Sequence, residues 1–185
     1  MLTRQELKQK ACAAIDKRKQ ELIEIAKDIL SHPEPGFCEV RTADLVSRKF
    51  QEMGIAHRKG LALTGLKGSV AGGNGAGPRV AIIGELDSLV VSEHPHADPD
   101  TGAAHACGHH CQIGMMLGAL TGLMVPEVLE QLSGEIVPFA VPAEEFIQVT
   151  LRLELREDKK IEFMSGKQEM IRLGEFDDVD IAMMC

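Results

Sequence analysis

Apolar residues near the start of the chain recur at helical spacing: Ile15, Leu22, Ile25, Ala26 and Ile29 share one face while Lys and Glu fill the other. Thr3 with Glu6 supplies a capping box, and Pro33 and Pro35 end the pattern, which predicts one long first helix. A second helix is expected from about Thr42, with Leu45, Val46 and Phe50 on one face and Gly54 as its stop. The period then changes. Gly65–Ala71 and Arg79–Gly84 read as strands, and the Gly-rich stretch Gly72–Pro78 between them predicts a turn and hence a hairpin. Val80–Ile83 is the run of a buried strand, leading straight into Gly84-Glu85-Leu86-Asp87.

A His/Pro/Asp-rich loop, Ser92–Gly102, precedes a helix over Gln112–Leu123, whose Gly114 and Gly118 permit close packing. Ile136–Val141 is a further strand, and Pro138 inside it demands a bulge or an edge position. Glu144–Glu157 reads as a helix with Ile147, Leu151 and Leu155 as its apolar stripe. Lys167–Leu173 reads as another, closed by Gly174 at C′, and Val179–Met184 as a last apolar strand of buried type. Helix and strand alternate from residue 65 onward, so the expected class is α/β, helices flanking a mixed sheet, with no repeat and no interdomain linker.

Composition narrows the partners. The 185 residues suffice for one domain with a core, which must be aliphatic because Trp and Tyr are absent and Phe numbers six. A net charge of −8 argues against nucleic acid and against an anionic membrane surface. No apolar run is long enough for a span, and the N-terminus lacks a signal-peptide pattern. Five cysteines at 12, 38, 107, 111 and 185 form an odd, irregular set that fits reduced thiols and a cytoplasmic setting.

Three clusters carry candidate chemistry. Cys107 and His109 flank Gly108 at the start of a helix, where a thiolate and an imidazole can converge on one cation; a buried structural Cys beside solvated loop histidines is the alternative. Glu144-Glu145 follows a strand and Pro142. These two acids can divide cation binding from proton transfer, or simply complement a helix dipole. Glu85 and Asp87 lie on one side of the end of the Val80–Ile83 strand, and a solvated strand end explains them nearly as well. His94 and His96 read as surface groups. A thiol enzyme with Cys107 as nucleophile and His109 or His110 as base is a weaker reading, because nucleophile and base usually come from separate segments.

The wording and order of these stretches resemble the metallo-aminoacylase/carboxypeptidase superfamily, in the branch of aminobenzoyl-glutamate, indole-acetyl-amino-acid and hippurate hydrolases. The matching stretches are Glu34-Pro35-Gly36-Phe37 with Glu39 and Thr42, Gly84–Leu89, His105-Ala-Cys-Gly-His109, Pro142-Ala-Glu-Glu145 and Phe176–Asp180. The resemblance implies a zinc-peptidase-like catalytic domain with two divalent metal ions, Zn²⁺ or Mn²⁺. It makes Cys107, His109 and Glu145 metal ligands, Glu144 the general base that activates water, and Asp87 an acid supporting the site. The implied reaction is hydrolysis of the amide bond in N-acyl or aminobenzoyl amino acids or small dipeptides.

Two departures stand out. His110 occupies a position where many relatives carry Asp. Relatives are also about twice as long, with two further His ligands and a lid domain, so residues 1–185 are expected to be the N-terminal portion of the catalytic domain. On that expectation the chain alone binds metal weakly, turns over little, and self-associates through an open sheet edge. The alternative is a non-catalytic remnant serving as a binding or dimerisation module.

Overall fold

The computed structural model describes residues 2–184. A five-stranded mixed sheet carries the site, in the order β1-β2-β6-β3-β7: β1 (Ala56–Leu61), β2 (Gly65–Ala71), β6 (Glu135–Val141), β3 (Arg79–Glu85) and β7 (Ile181–Met184). The β1/β2 and β2/β6 pairs are antiparallel, and β6/β3 and β3/β7 are parallel. Two short strands, β4 (Leu89–Val90) and β5 (Ala103–Ala104), pair separately in the segment before the Cys/His motif.

Helices cover both faces, as alternation along the central strands requires. On one face Leu66, Val70, Ile136 and Ala140 of the sheet pack with Ile29, Val46, Phe50, Ile113, Leu117 and Leu120. Those partners come from α2 (Lys19–Leu30), α3 (Val40–Glu52) and α4 (His109–Leu123). On the other face Ala81, Ile83, Val137, Phe139 and Val141 pack with Met170 of α7 (Gly166–Arg172) and with Phe176. Strands buried on both faces are what the continuous apolar runs of β3 and β6 dictate. A short α5 (Pro126–Leu129) and α6 (Val149–Glu157) complete the set.

Several expectations are corrected. The first helix is two, α1 (Arg4–Lys17) and α2, broken at Arg18. Both pieces lie along α4, where Gly122 meets Ala11 and Ile15 and Gly114 meets Ala26, and one straight helix would not follow that surface. The capping box of Thr3 and Glu6 is present as expected. α3 starts at Val40, two residues early, because Glu34 reaches over to accept from the backbone N–H groups of Arg41 and Thr42 at 2.9 and 2.8 Å.

The expected hairpin of β2 with β3 does not form. β6 lies between them, and the hairpin is instead β1/β2. β1 escaped notice because it is a polar edge strand, Ala-His-Arg-Lys-Gly-Leu, with none of its residues buried. The Gly-rich stretch after β2 crosses the start of β6, with Gly72 donating to Gly134 O and Asn74 to Leu132 O; a Cβ on Gly72 would lie 2.2 Å from Leu132 O.

Pro138 occupies a central strand, contrary to the expected bulge or edge. The β2/β6 pairing runs Leu66–Ala140 and Lys67–Phe139, then resumes at Val70–Ile136. Opposite the gap, Gly68 leaves room for the ring, since a Cβ there would lie 2.8 Å from Pro138 Cγ. The last strand is shorter than expected, beginning at Ile181, and its residues are exposed rather than buried because it pairs with β3 alone.

Candidate metal centre

The parallel neighbours β3 and β6 end together, with Glu85 paired to Val141 and Leu86 N donating to Val141 O at 2.9 Å. Their outgoing segments therefore leave the sheet side by side at its C-terminal edge, the usual location of ligand sites in α/β sheets. One segment delivers Glu85 and Asp87, and the other delivers Glu144 and Glu145. The Cys/His motif joins them because α4 begins at His109, earlier than expected, with Gly108 at φ 96 as its N-cap. That left-handed backbone, open to glycine, turns Cys107 and His109 toward the same point.

Asp87 organises the junction. Its main-chain carbonyl accepts the Nδ1–H of His109 at 2.9 Å, and its Oδ1 lies 3.2 Å from the same nitrogen. Its Oδ2 accepts the backbone N–H of Glu145 at 2.9 Å. Fully buried, Asp87 thus holds both the imidazole and the Glu-Glu segment. With Nδ1 committed to Asp87, Nε2 is the nitrogen of His109 that faces the acidic cluster. It faces Glu85 Oε2 at 2.8 Å, Glu144 Oε2 at 3.7 Å and Glu145 Oε1 at 3.9 Å.

Among the described residues, two groups of donors lie within 4.8 Å of one another: Cys107, His109 and Glu145, and Glu85, His109 and Glu144. A thiolate, an imidazole whose other nitrogen is held by a carbonyl, and a carboxylate are a donor set that suits a divalent transition metal. The residues present therefore fit such an ion. His94, His96 and Cys111 are in neither group, and the loop position of the first two matches expectation. His110 packs its ring against buried His105 at 5.4 Å between centroids and lies outside both donor groups.

The electrostatics follow from burial. His109 is pushed up to about 12: burial disfavours its charged form, but hydrogen bonds to Asp87, Cys107 and Glu85 outweigh it. Burial pushes Glu85 up, and His109 with Lys167 more than reverses this, leaving its carboxyl below the ordinary range. Glu145 is raised, first by burial and then by its acidic neighbours.

The Glu-Glu segment is not the first turn of a helix. α6 begins only at Val149, and left-handed Ala143 (φ 48) and Gln148 (φ 51) bracket an irregular loop. Glu144 and Glu145 therefore precede the helix, and the helix-dipole alternative for them does not apply. Instead, buried groups fix the loop. Glu39 accepts Ala143 N–H at 2.7 Å and the Thr64 hydroxyl at 2.6 Å. Arg152 donates to the carbonyls of Ala143 (3.4 Å), Glu145 and Met164. Ile147, Leu151 and Leu155 are only half-buried, and Arg152 is the buried residue of α6.

Arg152 and Lys167 had gone unremarked in the sequence. Each breaks a local rule that could have flagged it. Arg152 sits beside the apolar stripe of α6, and Lys167 is a cation in the first turn of α7, where the helix dipole disfavours positive charge.

An α/β sheet with a Cys, a His and acidic donors converging at the C-terminal edge of its parallel strands is an architecture that suits a metal centre. No family model matches the chain. Individual relatives do. It is 35% identical over 127 residues to the IAA-amino acid hydrolase ILR1-like 5 of Arabidopsis thaliana, an alignment covering 67% of this chain and 28% of that protein. Over 185 residues it is 27% identical to the N-acyl-L-amino acid amidohydrolase of Geobacillus stearothermophilus, covering 98% of this chain and 44% of that one. A crystal structure of a dinuclear metal binding peptidase of the M20 family from Bacillus subtilis superposes with a TM-score of 0.69 at 25% identity, over 88% of this chain and 41% of that protein. The chain spans less than half the length of these relatives. Sequence and fold together make it a relative of the metallo-aminoacylase/carboxypeptidase superfamily, as its motifs had implied.

No helix among the described residues is long and apolar enough to cross a membrane. The described cysteines 12, 38, 107 and 111 are free thiols; Cys185 lies outside the described residues.

Proposed function

We propose that these residues form the metal-binding core of a hydrolase that cleaves the amide bond of N-acyl or aminobenzoyl amino acids or small dipeptides. The convergence of Cys107, His109 and Glu145 from two separate segments carries the reading. Two divalent ions, Zn²⁺ or Mn²⁺, are the proposed cofactors, with residues 1–185 contributing the first part of a catalytic domain. When bound, the ions supply Lewis acidity that polarises the scissile carbonyl and acidifies water.

The protein's own part is positional. Asp87 fixes the His109 tautomer and, through the Glu145 N–H, the register of the two glutamates. Glu144, half-exposed and bearing no hydrogen bond to the protein frame, is the group free to take a proton from water and pass it to the leaving amine. Its access to solvent suits that role, whereas Glu145, which shares a donor group with Cys107 and His109, suits ligation.

Elemental analysis and titration with Zn²⁺ and Mn²⁺, on this chain and on a Cys107→Ala/Glu145→Ala variant, test the assignment. Stoichiometric binding that the variant loses is the expected result, and its retention in the variant would overturn the ligand set. A second reading, a binding or dimerisation module without turnover, draws on the exposed face of β7. Because residues 1–185 alone are expected to turn over little on either reading, it is metal binding lost in the Cys107→Ala/Glu145→Ala variant that separates the two.

A further inference from the structure

Phe146 directly follows the proposed ligand Glu145, and its side chain is left exposed at 57%. It sits at the apex of a tight turn in which Ile147 N–H donates to Glu145 O at 2.9 Å. Left-handed Ala143 (φ 48) and Gln148 (φ 51) flank the turn, a backbone that non-glycine residues hold only where surrounding contacts impose it. Arg152 supplies those contacts. Its fully buried guanidinium donates to Glu145 O and Ala143 O, and lies over the Phe146 ring, 5.8 Å from the centroid. The same guanidinium lies over the ring of buried Phe37 at 5.3 Å. One buried cation thus fixes both the backbone that carries Glu145 and the aromatic ring beside it.

A single exposed apolar side chain is ordinary on a protein surface. Phe146 differs in how it is held. One face of its ring is taken by the guanidinium, and the exposed remainder is free to stack against a second ring. Because its place is already set, little conformational freedom is lost when a ligand settles on it. Through Glu145 it also adjoins the donor group of Cys107, His109 and Glu145. The acyl group is the part of the proposed substrate bonded to the scissile carbonyl, so it is the part brought nearest to this ring.

We propose that Phe146 is the platform on which the acyl group of the substrate stacks, so that the site prefers aromatic acyl groups to acetyl. This rests on the metal-centre reading above and narrows its substrate class. Phe146 is thereby a specificity-determining residue, distinct from the metal ligands and from Glu144.

The test is equilibrium binding of para-aminobenzoyl-glutamate and of N-acetyl-glutamate to the Zn²⁺-loaded chain, with bound metal counted by elemental analysis in every sample. The chain has no Trp or Tyr, so aminobenzoyl emission can be followed without protein background, and the acetyl compound is titrated as its competitor. Wild type should bind the aromatic compound about tenfold more tightly. Phe146→Ala should lose about three- to tenfold in affinity for the aromatic compound and less than about twofold for the acetyl one. Phe146→Tyr, which keeps the ring, should behave as wild type. The side chain is exposed, so neither change opens a cavity. Equal losses for both compounds in Phe146→Ala, or no loss for either, would overturn the proposal, as would failure of the Zn²⁺-loaded wild type to bind the aromatic compound. The metal-centre reading survives those outcomes if Zn²⁺ is bound by wild type and lost in the Cys107→Ala/Glu145→Ala variant. A wild-type chain that takes up no Zn²⁺ would sink that reading, and this inference with it.

Discussion

Replacing Glu39 by Gln should change how stability depends on pH. Glu39 is fully buried, and burial raises its carboxyl to about 7 from an ordinary 4.5, with Asp87 adding to the rise and the Thr64 hydrogen bond opposing it. The sign follows from proton counting. Between pH 4.5 and 7 the unfolded chain releases this proton while the folded chain keeps it, so folding stability falls as pH rises through that window. Below it both states are protonated and the contribution is constant; above it both are ionised and the full cost is present. A displacement of this size amounts to about 3 kcal/mol. Gln has nearly the same shape, and its carbonyl can still accept from Ala143 N–H, the 2.7 Å contact that Glu39 makes. Urea unfolding of wild type and Glu39→Gln, followed at half-unit steps from pH 4.5 to 8, should show the variant gaining about 3 kcal/mol on wild type across the series. Parallel curves, separated by a constant offset, would show that Glu39 ionises normally and that the burial argument is wrong.

Other consequences can be measured on the same protein. Arg152→Met leaves the carbonyls of Ala143, Glu145 and Met164 without their buried donor, and should cost about 3 kcal/mol or more in urea unfolding; a loss below 1 kcal/mol would contradict it. Asp87→Asn keeps the size of the side chain that steadies His109 and the Glu145 N–H, and should weaken Zn²⁺ binding roughly 10–100-fold in competition with a chelating dye. Zn²⁺ at about a hundred times its Kd should raise stability by about 2.7 kcal/mol, read as a higher Tm, and EDTA or Cys107→Ala should abolish the rise. Ile181 and Met183 are exposed on β7, so Met183→Lys should lower concentration-dependent association in sedimentation; equal masses at all concentrations for wild type would remove the basis for it.

What the sequence revealed of this architecture depended on whether the signal was local. Period and capping located α3, α4, β2, β3 and β6, because each buries an apolar stripe or run that its own residues display. Strand order was not local. The Gly-rich stretch after β2 looked like a hairpin turn, but its glycines serve the close backbone approach to residues 129–134 that lets the chain pass the start of β6. Pro138 misled in the same way, since the residue that tolerates it, Gly68, lies on another strand. At the site, Cys107, His109, Glu144 and Glu145 were legible as donor types in suggestive order. Their convergence was visible only once β3 and β6 proved to be parallel neighbours.

Of the groups that hold the site together, Asp87 was expected as a supporting acid and Glu39 lay in a matching stretch, whereas Arg152 was not legible, and the physical reason is general. A loop carrying two adjacent carboxylates in irregular backbone leaves polar main-chain groups that neither helix nor sheet satisfies. Glu39, Arg152 and Asp87 supply the missing partners from three different segments, at Ala143 N, at the Ala143 and Glu145 carbonyls, and at Glu145 N. Such groups must be buried to act, and once buried they must be charged or strongly polar to compete with water. A sequence therefore shows them as misplaced charges: a Glu ahead of α3, an Arg beside an apolar stripe, a Lys at a helix start. These hydrogen bonds hold the backbone on both sides of Glu144, the acid assigned to move a proton, without engaging its carboxylate. Loosening the frame should therefore weaken metal binding before it unfolds the sheet, because the frame touches the loop and not the central β3/β6 pairing.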